Sequence, residues 1–434
     1  MEAPALITAP WRDPAEVAAA LGEQAWTLAF LSGGDQARWS YVMADPAETL
    51  MLAPSDSRPP IAALRALTGR QTPARPGGPP FQGGVAGLMS YELGDRFEPL
   101  GLGRHGGWPD LACARYEALL AFDHQTQRVL AIGRDDDAAR ATLAWLDRPA
   151  PTPTGGQIGA MASDDGAAYE AAVAEVTDRI AAGEIFQANI ARRWIGRLAQ
   201  GRSPSDLVRA LAAASPAPFA AYLRLEDHAV VSNSPERFIR VTGEEARTEP
   251  IKGTAPRGAT PDEDRALAQA LVASEKDRAE NLMIVDLMRN DLSRVCAPGT
   301  VKTPELFTIA TFANVHHLVS VVTGKLAAGR DALDLMAAAF PPGSITGAPK
   351  VQAMKVIAGL EAPRGPFFGA MFMLGSDGSF DSNVLIRTAA LVRDGEGWAI
   401  EARAGAGIVA DSEPLSERLE TEAKISALRK ALAG

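Results

Sequence analysis

Carboxylates and lysines at helical spacing are the first groups in this chain that could do chemistry. Glu417, Glu420 and Lys424 stand at i, i+3 and i+7, so on a helix they share one stripe. Such a stripe could hold a hard divalent cation, which prefers oxygen ligands, with the lysine close to a substrate carboxylate. The same spacing equally describes a solvated helix face with a Glu–Lys pair. Glu280 lies in SEKDRAENLMIVDLMRNDL, another helix-like stretch dense in acids and bases.

Lys252 sits in EPIKGTAPRG, between Pro250 and Gly253, where a short strand would end in a turn. A lysine of ordinary pKa, about 10.4, is protonated at neutral pH and cannot attack an electrophile. Desolvation or a neighbouring cation would release the free amine and make it a covalent nucleophile. A surface turn lysine is the plainer alternative. Two glycine-rich turns, FPPGSITGAPK (340–350) and AGAGIV (404–409), could present backbone N–H groups to an anion. Spacing and Pro349 exclude the first from the nucleotide phosphate-loop pattern. His316 and His317 lie in a strand-like run, VHHLVSVV, where adjacent side chains point to opposite faces and make a poor chelating pair. One of them could face a site while the other packs.

The elements that must carry these groups alternate without regularity. Helical periodicity runs over 168–183, 262–296, 331–340, 349–359 and 413–432. Strand-like runs cover 220–225, 229–232, 237–241, 315–323, 369–375, 383–393 and 399–404. Short turns at Glu226–Asp227 and 394–397 suit antiparallel pairing, so the reading is α+β rather than a doubly wound parallel sheet. Residues 148–165 are rich in Pro, Thr and Gly, and read as a linker between an N-terminal domain (1–147) and a C-terminal domain (166–434).

Composition sets the outer limits. The 434 residues, 47% hydrophobic and 22% charged, are those of an ordinary globular protein able to bury a core without staples. Cys113 and Cys296 are far apart and fit no ligand spacing, as expected of two buried thiols in a reducing compartment. A formal net charge of -10 argues against nucleic-acid or anionic-membrane partners. Met-Glu-Ala-Pro is no start of a signal peptide, and no apolar run of about 18 residues predicts a membrane span. The cytoplasm is the expected location.

Several segments, taken in order, resemble the chorismate-utilising enzyme family, which includes anthranilate, aminodeoxychorismate, isochorismate and salicylate synthases. They are GEIFQANIARR, SPERFI, PIKGTAPRG, DRAENLMIVDLMRNDL, VHHLVS, PPGSITGAPK, SNVLIRTA, AGAGIVADS and ERLETEAK, spread over 183–424. FQGGVAGLMSYELGDRFE (81–98) is similar to the N-terminal segment of the anthranilate and aminodeoxychorismate branches. The resemblance implies two α/β subdomains whose large, mostly antiparallel sheets enclose a cleft. It implies Mg²⁺ held by Glu280 and Glu420 with Glu417 in support, and Glu236 as general acid/base. Gln187, His317, Thr346, Arg387, Lys424 and the backbone at Gly405 and Gly407 would bind chorismate.

Two positions then separate the branches. Gln187 replaces the lysine that activates water in the isochorismate and salicylate branches, and glutamine is no base at neutral pH. Lys252 replaces the alanine usual in the anthranilate and water-adding branches. The resemblance is therefore to the aminodeoxychorismate branch, in which this lysine attacks C2 and ammonia later enters at C4. Ammonia would come from a separate glutamine amidotransferase subunit, since neither cysteine has a nucleophile-elbow context. An anthranilate-forming component, or an inactive subunit that kept the fold, are the alternatives. Ala255, Phe367 and Phe372 depart from the pattern, where relatives often carry arginine, tyrosine and glycine.

Overall fold

The structure, a computed structural model, describes residues 3–34, 37–152, 155–163, 166–311 and 315–434. Residues 153–154 and 164–165 of the expected linker lie outside the described residues. Two large sheets dominate, one of 12 strands and one of 10 among the described residues. Every described pairing in both is antiparallel. Eleven strands of the larger sheet form one path, with Leu28–Leu31 beside Phe219–Arg224 and Gly397–Ile408 beside Gln187–Leu198. The smaller sheet runs from Ile251–Pro256 through Val315–Lys325 to Ala370–Gly375, Gly84–Met89 and finally Glu48–Leu52.

The expected boundary at 148–165 does not separate one sheet from another. Leu28–Leu31 pairs with Phe219–Arg224, and Gly84–Met89 pairs with Ala370–Gly375. Strands from the first 147 residues therefore complete both sheets. Local sequence pattern cannot reveal this, because an unpaired edge takes any strand of suitable twist and register.

Burial follows the two-residue and 3.6-residue periods. One apolar core joins the smaller sheet to the helices Glu275–Ser293 and Ala332–Ala339, through Ile284, Met288, Leu335 and Phe372. Another packs the larger sheet against the helix Pro414–Ala433, through Trp398, Ile400, Ile425 and Leu428. A third, smaller one lies beneath Gly166–Ala181 and Lys350–Leu360, with Val173, Ile190 and Ile357. Among the described residues, no helix is long and apolar enough to cross a membrane.

Two elements read as continuous in the sequence are interrupted. The helix expected over 262–296 is two, Pro261–Ala273 and Glu275–Ser293. Ser274 takes an extended backbone between them, and its hydroxyl accepts from the Asp277 N–H at 3.2 Å as an N-cap. The strand expected over 383–393 is likewise broken, since one strand ends at Asn383 and the next spans Thr388–Asp394. Arg387, between them, has φ 51°, a left-handed backbone that no pleated strand accommodates.

Candidate active site

The break at Arg387 leaves the end of Gly397–Ile408 without a strand on one side, and the singled-out residues gather there. Gly407 lies opposite Asn189 in the register of Gln187–Leu198. A Cβ on Gly407 would stand 2.9 Å from Lys252 Nζ and 2.8 Å from Gln187 Nε2. Only glycine leaves space there for both side-chain ends. Gly405 is equally confined, because a Cβ would meet the Ile190 carbonyl oxygen at 2.4 Å. Its own carbonyl accepts from Lys424 Nζ at 2.8 Å, and the same ammonium pairs with Glu420 Oε1 at 2.6 Å.

Burial and charge then set the protonation of the cluster. Burial is the chief cause that lowers the pKa of Lys252, and the Lys424 ammonium adds to it, against the opposing carboxylates of Glu280, Glu236 and Glu420. Glu236 is buried between the strands His228–Ser234 and Arg237–Thr242. Its carboxyl is pushed up to about 7 by burial, with Ser344, Lys252, Lys424 and Arg387 holding it back. Arg387 is itself half-buried, and desolvation lowers its pKa against the pull of Glu236. Its guanidinium makes no hydrogen bond or ion pair among the described residues.

Gln187 is fully buried, and neither Oε1 nor Nε2 has a hydrogen-bond partner among the described residues. Leaving a buried amide unpaired costs about 1–3 kcal/mol, so these atoms form a polar wall suited to a bound molecule. His317 is buried, with Nδ1 2.9 Å from Thr254 Oγ1. Burial and the Arg387 charge bring its pKa down to about 4, so the ring is neutral at pH 7. His316 points the other way, Nε2 bonding Asp264 Oδ1 and Nδ1 bonding Thr311 Oγ1, each at 2.9 Å. Thr346 is buried as well, and its hydroxyl donates to the carbonyls of Pro342 and Gly343 at 3.1 and 3.2 Å.

The carboxylates suited to a cation share one electrostatic neighbourhood. Glu280 is raised by burial, with Asp277 and Glu417 adding to the shift and Lys252 and Lys276 opposing it. Glu417 is raised by burial despite the Ser412 hydroxyl that donates to it at 2.7 Å, and Glu420 adds its repulsion. Glu420 ends lower than usual, because Lys424 and Lys252 outweigh its own burial. Among the described residues no three His, Cys, Asp or Glu side chains stand close enough to form a metal cage. Mg²⁺ commonly takes only one or two protein carboxylates, completing its octahedron with water and substrate oxygens. Glu280 and Glu420 could supply that kind of donor.

Sequence reasoning passed over two neighbours. Ser344, within the quoted PPGSITGAPK, helps hold the Glu236 carboxyl below the level that burial alone would set. Lys276 stands 4.0 Å from Glu280, a pairing legible from its i, i+4 spacing. Two of the departures are absorbed by packing. Phe372 stacks on Phe380, with centroids 5.8 Å apart, and faces Gly87 across its strand pair. Phe367 is buried under the Arg403 guanidinium. Two cavities, of about 530 and 900 Å³, share none of these site side chains. Size alone does not mark the chemistry. Mutually perturbed titratable groups do.

The chorismate binding enzyme family matches residues 27–430. Anthranilate synthase component 1 of Streptomyces coelicolor is 41% identical, over 92% of this chain and 82% of that protein. Aminodeoxychorismate synthase component 1 of Salmonella typhimurium is 40% identical, over 98% of this chain and 97% of that protein. The solved anthranilate synthase component I of Streptococcus pneumoniae superposes with a TM-score of 0.81 at 27% identity, over 92% of this chain and 93% of that one.

Proposed function

The chain belongs to the chorismate binding enzyme family, and on that premise we propose that it works as an aminodeoxychorismate synthase component 1. It would convert chorismate and ammonia to 4-amino-4-deoxychorismate and water, on the route to para-aminobenzoate and folate. The observation that carries this reading is the amine of Lys252, enclosed beside Gln187 in the space left by Gly407 and biased toward its neutral form. The match to the Salmonella relative over nearly its whole length supports the same choice.

Lys252 Nζ would bond to C2 of the ring while protonated Glu236 gives its proton to the departing C4 hydroxyl, which leaves as water. Ammonia would then bond at C4 and expel the lysine amine from C2. The carboxylate of Glu236 takes back the proton that the new amine sheds. Gln187 would orient the ring and the incoming ammonia, while Lys424, Arg387, His317, Thr346 and the backbone at Gly405 and Gly407 grip anionic oxygens. Bound Mg²⁺, held by Glu280 and Glu420 with Glu417 behind them, would neutralise the substrate's ring carboxylate. A glutamine amidotransferase subunit would supply the ammonia, with free ammonia as a poorer substitute.

Product identification tests the proposal. The purified chain with chorismate, Mg²⁺ and ammonia should release 4-amino-4-deoxychorismate, and Lys252→Ala should abolish that product. Anthranilate, which fluoresces and appears with pyruvate, as the main wild-type product would reject the assignment in favour of the anthranilate reading.

A further inference from the structure

Arg364 is buried at 1% exposure, and its donors converge on the backbone beside the site. Nη2 donates to the Asn189 carbonyl at 2.6 Å and Nη1 to the Ile345 carbonyl at 3.0 Å. Nε and Nη2 also pair with Glu361, at 3.0 and 3.1 Å. Glu361 Oε1 in turn accepts from the Ala191 N–H at 2.6 Å. The Asn189 N–H donates to the Thr346 carbonyl at 2.8 Å, closing a ring of contacts between strand and turn. Tyr91 and Phe368 cap the guanidinium, with ring centroids 4.7 and 4.5 Å away. The main chain at this point is anchored by Glu92, which accepts from the N–H groups of Arg364 and Gly365 at 2.5 and 2.9 Å.

We infer that Arg364 is a positioning residue for the chemistry, fixing the strand that begins at Gln187 against the turn that carries Ser344 and Thr346. Asn189 is two residues beyond Gln187, and Ile345 lies between Ser344 and Thr346. One planar group spanning both carbonyls therefore fixes the separation of the Gln187 amide from Ser344, the residue that tempers the raised pKa of Glu236. A buried ion pair by itself is a weak stabiliser. The two bonds to site-flanking carbonyls are what give this pair a positional role. Lysine keeps the charge but, as a single ammonium, cannot span both carbonyls and the bidentate carboxylate.

The inference rests on the proposed chorismate chemistry, and the test follows chorismate consumption so that the identity of the product does not decide it. Arg364→Lys and Glu361→Gln are compared with wild type for kcat, KM, pH profile and thermal midpoint. Arg364→Lys should lower kcat/KM about 100-fold, the scale of loss from a misplacement of about 1 Å. Most of that loss should lie in KM for chorismate. The alkaline limb of the pH profile should move upward as Ser344 is displaced and its lowering influence on Glu236 weakens. Glu361→Gln, which keeps an acceptor of the same shape, should show the same changes at about a tenth of the size. A lowered midpoint with wild-type kcat, KM and pH profile in the folded protein would reduce Arg364 to scaffold and overturn the inference. If Arg364→Lys fails to fold, wild-type kinetics in Glu361→Gln overturn it instead, and shifted kinetics uphold it. A wild-type chain that consumes chorismate without forming aminodeoxychorismate defeats the proposed function and leaves this comparison intact.

Discussion

Arg364 and Arg387 are both arginines withdrawn from solvent, yet their surroundings differ in kind. Arg364 has Glu361, two main-chain carbonyls and two aromatic faces. The Arg387 guanidinium makes no hydrogen bond or ion pair among the described residues, while Gln187 presents two unpartnered amide atoms. Burial without partners costs free energy, so a fold keeps it where a bound molecule supplies what is missing. The two regions thus separate structural from chemical uses of buried polarity. Around Arg364 the guanidinium and Glu361 satisfy one another, whereas the Gln187 amide is left open where the proposed substrate would bind.

Substitutions put this contrast to the test. Lys252→Ala should have the largest effect, lowering aminodeoxychorismate formation at least about 1,000-fold, as loss of a nucleophile does, with little change in thermal midpoint. Glu236→Gln should follow at about 100- to 10,000-fold, the span usual for a general acid. Its pH profile adds a sharper sign. Glu236 must be protonated to act, so wild-type kcat/KM should fall as pH rises above about 7, and that limb should vanish in the variant. The acid limb should track deprotonation of Lys252, below the usual lysine range. The two groups influence one another, so the apparent values belong to the pair. A wild-type profile flat from pH 6 to about 9 would contradict these assignments.

Gly407→Ala should come next. The atoms nearest the added Cβ are the flexible ends of Lys252 and Gln187, which can move aside. The variant should fold normally, with turnover down about 10- to 100-fold from displaced reactive groups. Gln187→Met should have the smallest effect on turnover, and its effect on stability should carry the opposite sign. Removing an unpaired buried amide should stabilise the chain by up to about 1–3 kcal/mol in denaturant titration, while chorismate turnover falls. A destabilised Gln187→Met would show that the amide is already satisfied in solution, erasing the contrast at that position.

The residues of the candidate site could be singled out because they fall within short ordered motifs, and the structure brings several of them together. The stripe of Glu417, Glu420 and Lys424 does lie on one helix, and the ammonium of Lys424 does pair with Glu420. Adjacent histidines in a strand do part to separate partners, Thr254 for His317 and Asp264 for His316. What could not be read depends on distant partners. Nothing local announces that Arg387 takes a left-handed backbone, since its neighbours Asn383–Arg393 have the composition of one strand. Arg364 reads as an ordinary turn arginine until Asn189 and Ile345, far off in sequence, are brought to it. Strand order was hidden for the same reason, because antiparallel register depends on which edge is free and not on the strand alone.

The shared sheets also bear on how the polypeptide is made. Leu28–Leu31 has no partner from the later chain until Phe219–Arg224 is synthesised, and Gly84–Met89 waits for Ala370–Gly375. A growing chain that carries only its first third therefore exposes apolar strand edges, a form prone to aggregate and to engage chaperones. Expressed as separate pieces, 1–147 and 166–434 should each be poorly behaved, and they should recover order only when mixed.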